Sequence, residues 1–167
     1  MNKLVIFYSF EGSTKLVAES IAESIDADIL RLKPKNEIKS KGFMRFIWAV
    51  KAAIMREKPE LLPFDKSIEE YDVLFIGTPV WVWAYAAPLN TFLSKHAPSG
   101  KKIAVFCCHA GGKGKTLKNM KQALKDNTIL GELDLSKPAR RDTQASVQKA
   151  TDWAQEIVRS LYLADGT

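Results

Sequence analysis

Short apolar runs alternate along the chain with longer segments of helical periodicity. The runs are rich in β-branched or aromatic residues, as is typical of buried strands. We predict these strands over residues 3–8, 28–32, 71–76, 102–107 and 128–135. Elsewhere apolar residues recur at about every third or fourth position, which predicts helices over 13–25, 86–96, 116–125 and 143–163. Such alternation favours right-handed crossovers and a parallel sheet with both faces covered.

One connection, residues 34–70, is too long for an ordinary crossover loop. Its middle carries an apolar stripe at helical spacing, formed by Phe43, Phe46, Ile47, Val50 and Ile54. This predicts a helix over about 42–56, decorated on its other faces by basic residues. Two interpretations stay open. Either the helix packs its stripe on the core of the protein, or it lies on a membrane surface.

The chain has 167 residues, which predicts one domain spanning 1–167. Its 46% hydrophobic and 26% charged residues exclude a disordered or fibrous protein. No apolar run approaches the roughly 18 residues of a membrane span, and a signal peptide is not evident. The cysteines, Cys107 and Cys108, are adjacent and cannot cross-link a secreted fold by disulfides. We therefore expect a cytoplasmic protein with free thiols and no stable membrane insertion.

The net charge of +6 is concentrated in two basic blocks. Residues 33–58 carry eight Lys or Arg against two Glu, and residues 101–125 carry seven Lys and no acid. Such blocks suit an anionic ligand, an acidic partner, nucleic acid or a membrane surface, and they are equally typical of solvated helix faces. Because no nucleic-acid-binding motif accompanies them, we expect no nucleic acid partner.

Ligands of open parallel sheets bind beyond the carboxyl ends of the strands. The first predicted loop there, Ser9 to Thr14, combines hydroxyls with Gly12 and leads into a helix. Free N–H groups at a helix start and nearby hydroxyls suit a phosphate. The plainer alternative is a Ser or Thr cap without a ligand. The loop is neither a P-loop nor a dinucleotide fingerprint, because both glycine patterns are absent.

The second predicted loop, residues 78–85, holds three large aromatic residues: Trp81, Trp83 and Tyr85. Aromatic side chains at the ligand end of a sheet suit stacking on a flat heterocycle. The alternative is that some of them face the core. We expect Trp81 to contact a ligand. For Trp83 both interpretations, a ligand contact and a place in the core, stay open.

The third predicted loop, residues 108–115, has three glycines within four positions, which lets the main chain approach a ligand closely. Two cysteines and His109 suggest a metal, but they fall short of a four-ligand zinc site. A catalytic Cys-His dyad is also disfavoured, because adjacent residues rarely orient a nucleophile and its base together. We expect neither a metal nor a catalytic residue here.

Together the loops offer a phosphate site, an aromatic wall and a glycine-lined edge, which suit a mononucleotide with a flat ring system. Residues 5–18, VIFYSFEGSTKLVA, resemble the flavodoxin signature at every fixed position. These positions are an apolar pair, an aromatic residue, Ser9, Gly12, Thr14 and Ala18. The alternation of strands and helices extends the resemblance over nearly the whole chain.

The resemblance implies a flavodoxin-like three-layer sandwich. Its five-stranded parallel sheet would have the order 2-1-3-4-5, in the short-chain type, with a basic helical insertion after strand 2. It also implies FMN as the cofactor. On this basis the loop after strand 1 binds the phosphate end, and two further loops form the wall and the other edge of the flavin ring site. The implied cofactor-binding residues are Ser9, Phe10, Glu11, Gly12, Ser13 and Thr14; Thr78, Pro79, Val80 and Trp81; and His109, Gly111, Gly112 and Lys113.

Glu11 departs from the family pattern, since many flavodoxins have Thr at that position. The resemblance implies an electron carrier that receives electrons from a flavin reductase and passes them to an electron-accepting redox enzyme. The alternative is an FMN-dependent NAD(P)H:quinone-type oxidoreductase, in which the insertion caps the flavin and binds a bulky acceptor. We expect a monomer or a weak dimer.

Overall fold

The central sheet is assembled from strands that alternate with helices. The computed structural model describes residues 1–36, 47, 50–51, 55 and 57–165. The strands are β1 (Lys3–Phe7), β2 (Asp28–Arg31), β3 (Val73–Trp81), β4 (Ala84–Tyr85), β5 (Lys102–His109) and β6 (Thr128–Ser136). The helices are α1 (Ser13–Ile25), α2 (Ala87–Lys95), α3 (Thr116–Ala123) and α4 (Thr143–Asp165), with a 3₁₀ turn at Ile68–Glu70.

The five long strands are parallel and lie in the order β2-β1-β3-β5-β6. This confirms the predicted order, because the two-residue β4 only extends β3 as an antiparallel partner. Strand β6 runs without a long interruption, as the short-chain type requires. Among the described residues, no helix has both the length and the apolar character needed to cross a membrane.

The prediction that β3 stops at Ile76 is wrong. Gly77, Thr78 and Pro79 continue the parallel pairing with β5, opposite Phe106, Cys107 and Cys108 respectively. Gly77 stays in register because its missing side chain leaves room for the Phe106 ring, which an added Cβ would meet at 2.1 Å. The strand therefore carries its last residues past the end of β1 and up to the ligand edge of the sheet.

Side chains of the central strands alternate between two cores, as the period of a strand requires. Leu4 and Ile6 belong to a cluster that includes residues of α2 and α3. Val5 and Phe7 belong to a second cluster that includes residues of α1 and α4. The two clusters on opposite faces of the sheet confirm the three-layer sandwich.

The predicted helix over 42–56 lies mostly outside the described residues, including Phe43, Phe46 and Ile54. Ile47, Val50 and Lys51 are described, and their backbone is helical. The two ends of the long connection lie side by side. The Lys35 N–H donates to the Glu60 carbonyl at 2.7 Å, and the Leu62 N–H donates to the Lys33 carbonyl at 2.8 Å. The Thr91 hydroxyl of α2 donates to the Pro59 carbonyl at 2.8 Å, which attaches the returning end of the connection to α2.

Candidate functional site

A cavity of about 510 Å³ opens at the carboxyl ends of the parallel strands. It is lined by the loops after β1, β3, β5 and β6, and by one residue of the long connection. Eight predicted site residues line it: Phe10, Glu11, Ser13, Thr14, Pro79, Val80, Trp81 and His109. The other lining residues are Val50, Val82, Trp83, Cys108, Ala110, Lys137, Pro138 and Arg140. The three predicted loops therefore converge on one cavity.

The loop between β1 and α1 leaves donor groups free at the start of the helix. Gly12 precedes α1 with φ +97°, a conformation that disfavours any side chain, and as a glycine it brings no capping side chain of its own. The Ser9 hydroxyl, 4% exposed, accepts from the Lys15 N–H at 3.1 Å and so satisfies that one N–H of the first turn. The Thr14 hydroxyl is buried against the Cys108 thiol and has no oxygen or nitrogen partner among the described residues. This first helical turn can donate to an anion in the cavity.

Strands β3 and β4 form a hairpin where the sequence predicted a loop. Its two turn residues, Val82 and Trp83, have φ +49° and +59°, the arrangement of a type I′ turn. Trp81 is 8% exposed and presents its ring edge-to-face to Tyr8 and Phe10, at centroid distances of 5.7 and 5.2 Å. One wall of the cavity is thus a packed aromatic cluster on a hairpin.

Thr78 stabilises this hairpin through hydrogen bonds of its hydroxyl and does not line the cavity. Its fully buried hydroxyl accepts from the Ala86 N–H at 3.1 Å and donates to the Pro79 carbonyl at 3.0 Å. One hydroxyl thus links the outgoing strand to the residue that precedes α2. Ala86 is itself fully buried, so its N–H needs this partner.

The strained turn gives a stability prediction. A β-branched residue at positive φ is unfavourable, whereas Asn tolerates that conformation. We expect Val82→Asn to raise the free energy of unfolding of the ligand-free protein by about 1 kcal/mol, because it relieves this strain. Val80→Asn is the control: Val80 pairs with Tyr85 in the same hairpin but lacks the positive φ, so that change should destabilise. Urea unfolding measures both, and a loss of stability in Val82→Asn would contradict the prediction.

The loop after β5 is fixed by an ionic cluster. The Gly112 N–H donates to His109 Nδ1 at 3.0 Å, which leaves the ring proton on Nε2, 3.3 Å from Asp134 Oδ2. Lys113 Nζ lies 2.6 Å from the other oxygen of Asp134. Lys113, and then His109, lower the pKa of the Asp134 carboxyl, while Asp134 raises the pKa of Lys113. His109 lines the cavity, whereas Gly111, Gly112 and Lys113 do not.

The adjacent thiols do not have the properties of nucleophiles. Burial raises the pKa of Cys107 and of Cys108 to about 12, and the Thr14 hydroxyl beside Cys108 only opposes that rise. A nucleophilic cysteine needs the opposite shift. In the described part of the chain, no three His, Cys, Asp or Glu side chains cluster as a metal site requires.

This thiol chemistry is directly testable. At pH 8 a thiol of pKa about 12 is ionised in only about one molecule in ten thousand. We expect the thiols of the native protein to react with an aromatic disulfide reagent over hours. In denaturant, the same protein should release two equivalents of the aromatic thiolate per chain within minutes. Rapid reaction of one thiol in the native protein would contradict the burial of this pair.

Sequence reasoning missed the loop between β6 and α4, which brings Lys137, Pro138 and Arg140 to the cavity. Lys137 has φ +50°, and its N–H donates to the His109 carbonyl at 2.8 Å, so the loop is fastened to the end of β5. The available signal was the position of this loop after the last strand of the sheet, since each parallel strand delivers a loop to the same edge.

Comparison with known proteins agrees with this architecture. A putative flavoprotein from Bacteroides eggerthii is 22% identical, with a TM-score of 0.73 over 94% of this chain and 98% of that one. The Lactobacillus acidophilus flavoprotein in complex with FMN is 23% identical, with a TM-score of 0.69 over 85% and 97%. The two-electron reduced flavodoxin of Megasphaera elsdenii is 16% identical, with a TM-score of 0.57 over 92% and 98%.

At these identities the solved structures establish a common fold. Among curated protein sequences, none matches the chain significantly. The family comparison is decisive, because the flavodoxin model matches residues 2–155, nearly the full length. With the strand order and the predicted signature already in place, the protein belongs to the flavodoxin family.

Proposed function

We propose that this protein binds FMN in the cavity and carries electrons between two redox proteins. The observation that carries the proposal is the cavity itself. The cavity, about 510 Å³ in volume, combines an aromatic wall with the start of α1 at the carboxyl edge of the sheet. Membership of the flavodoxin family and the FMN complex of the Lactobacillus acidophilus flavoprotein support the cofactor assignment.

The phosphate end of FMN fits the start of α1. Ser13 and Thr14 line the cavity and supply the first two N–H groups of α1. A phosphate accepts several hydrogen bonds and gains from the helix dipole, so it satisfies these donors together. Ser9 and Gly12 contribute by shaping the loop, and the Glu11 and Phe10 side chains border the site.

The ring end of FMN fits between the β3–β4 hairpin and the end of β5. Trp81, Val80 and Pro79 form the apolar side, and His109 borders the cavity from β5. Apolar walls exclude water from a bound flavin, and the cofactor then supplies one- or two-electron redox chemistry. Thr78 and the loop residues Gly111, Gly112 and Lys113 act by holding these walls in place.

We further propose that the electron donor is a flavin reductase and the acceptor a redox enzyme, in the cytoplasm. At the cavity mouth Trp83 is 66% exposed and Val82 is 38% exposed. Lys115, which directly precedes α3, and Lys118 on α3 are exposed and lie nearby in sequence. An exposed aromatic residue beside positive charge suits transient contact with an acidic redox protein.

Titration of the purified protein with FMN, followed by desalting and visible absorption, tests the cofactor. We expect flavin bands to remain with the protein at about one equivalent. Reduced holoprotein should then pass its electrons to an added protein acceptor and be reduced again by a flavin reductase. A protein that retains no FMN would overturn the proposal.

One observation favours an enzyme as the second candidate. Val50 lines the cavity, so the long connection after β2 reaches the proposed flavin site and adds an apolar surface to it. Such a surface suits a bulky apolar acceptor. Steady-state oxidation of NADPH in the presence of a quinone separates the two functions. Turnover by the protein alone indicates the oxidoreductase, whereas turnover only with an added reductase indicates the carrier.

A further inference from the structure

Two cationic side chains reach the cavity from the loop between β6 and α4. Lys137 and Arg140 both line it, although neither belongs to the loop that carries the flavodoxin signature. The backbone fixes their positions, because the Lys137 N–H donates to the His109 carbonyl and the Arg140 N–H donates to the Lys137 carbonyl at 2.9 Å. The Asp142 carboxylate accepts from the Ala145 N–H at 3.1 Å, which closes the loop at the start of α4.

Arg140 already holds an anion in this structure. Its Nη2 lies 3.4 Å from Oε2 of Glu11, and the two side chains are 73% and 62% exposed. Glu11 belongs to the loop between β1 and α1, so this ion pair connects that loop to the loop between β6 and α4 beside the cavity. An exposed ion pair of this length is weak and easily exchanged.

We propose that Arg140 selects for the phosphate of the flavin, and that the Glu11 carboxylate competes with this phosphate for Arg140. The inference rests on the proposed FMN site. A phosphate carries more charge than a carboxylate and matches the guanidinium fork. Thr14, in the first turn of α1, also lines the cavity; its buried hydroxyl lies against the Cys108 thiol and has no oxygen or nitrogen partner among the described residues. Lys137 adds positive charge at the same rim.

Selectivity between FMN and riboflavin is the decisive measurement, because riboflavin has the same ring but no phosphate. We expect Arg140→Gln to weaken FMN binding about five- to tenfold and to leave riboflavin binding within twofold. Glu11→Gln removes the competing carboxylate, so it should tighten FMN binding about threefold without affecting riboflavin. Flavin fluorescence quenching at low salt reports both dissociation constants.

Arg141→Gln is the matched control. Arg141 is exposed, adjacent in sequence and identical in charge, but it does not line the cavity. It should leave both dissociation constants unchanged. Equal weakening of FMN by the Arg140 and Arg141 variants would reduce the effect to net charge and overturn the proposal. Equal loss of FMN and riboflavin in Arg140→Gln would also overturn it, because Arg140 would then act on the ring or the fold.

Inorganic phosphate provides an arm that does not depend on flavin. We expect millimolar phosphate to raise the melting temperature of the ligand-free wild-type and Arg141→Gln proteins at constant ionic strength, but not that of Arg140→Gln. If no variant binds flavin, the proposed function fails while this arm still decides whether Arg140 recognises phosphate. An equal shift in all three proteins would remove Arg140 as the phosphate-selective residue.

Discussion

Replacing Gly77 with alanine is expected to lower the free energy of unfolding by about 3 kcal/mol, the upper part of the range for overpacked cores. The added Cβ would lie 2.1 Å from Cζ and 2.3 Å from Cε2 of the Phe106 ring. Phe106 is fully buried, so its ring cannot move into solvent to relieve the contact. Gly77 also pairs with Phe7 on the opposite side, which holds the backbone between two strands.

Urea unfolding of the ligand-free protein measures this effect. Gly111→Ala is the control, since a Cβ at Gly111 would meet nothing within 4 Å and its φ is not positive. It should change stability by less than about 0.5 kcal/mol. Adding Phe106→Leu to Gly77→Ala should recover part of the loss by making room. A stable Gly77→Ala protein, or no recovery in the double variant, would show that the close approach does not limit packing.

The sequence predicted the fold well where hydrophobic pattern and burial agree. Helix α1 begins and ends where its apolar period predicted, at Ser13 and Ile25. The end of β3 was missed because Gly77, Thr78 and Pro79 are typical of turns. Their pairing with β5 is a tertiary contact that cannot be seen locally, since it depends on Phe106 filling the space above Gly77.

The site was predictable in outline because carboxyl ends of parallel strands meet at one edge. Individual roles were harder to predict, because a buried hydroxyl serves a ligand and a backbone N–H equally well. The structure gives Ser9 and Thr78 backbone partners, while Thr14 remains without a conventional one. Arg140 was missed because a surface arginine after a strand has no local mark that separates it from a solvated one.

Trp81 and Trp83 are two positions apart in one hairpin and provide the second large effect. Trp81 is 8% exposed and contacts the rings of Tyr8 and Phe10, whereas Trp83 is 66% exposed at the cavity mouth. We expect Trp81→Ala to lower the free energy of unfolding by about 3–4 kcal/mol, as for other buried aromatic truncations. Trp83→Ala should lower it by less than about 1 kcal/mol.

The same pair separates the wall of the proposed flavin site from its rim. Trp81→Ala removes a packed surface of the cavity, so FMN binding should weaken at least tenfold, and Trp81→Phe should restore most of it. Trp83→Ala should weaken FMN binding less, because solvent already covers most of that ring. Comparison of urea unfolding with flavin titration for the three variants decides the matter. If Trp83→Ala proved the more damaging to both, the aromatic wall would have to be reassigned from Trp81 to the turn.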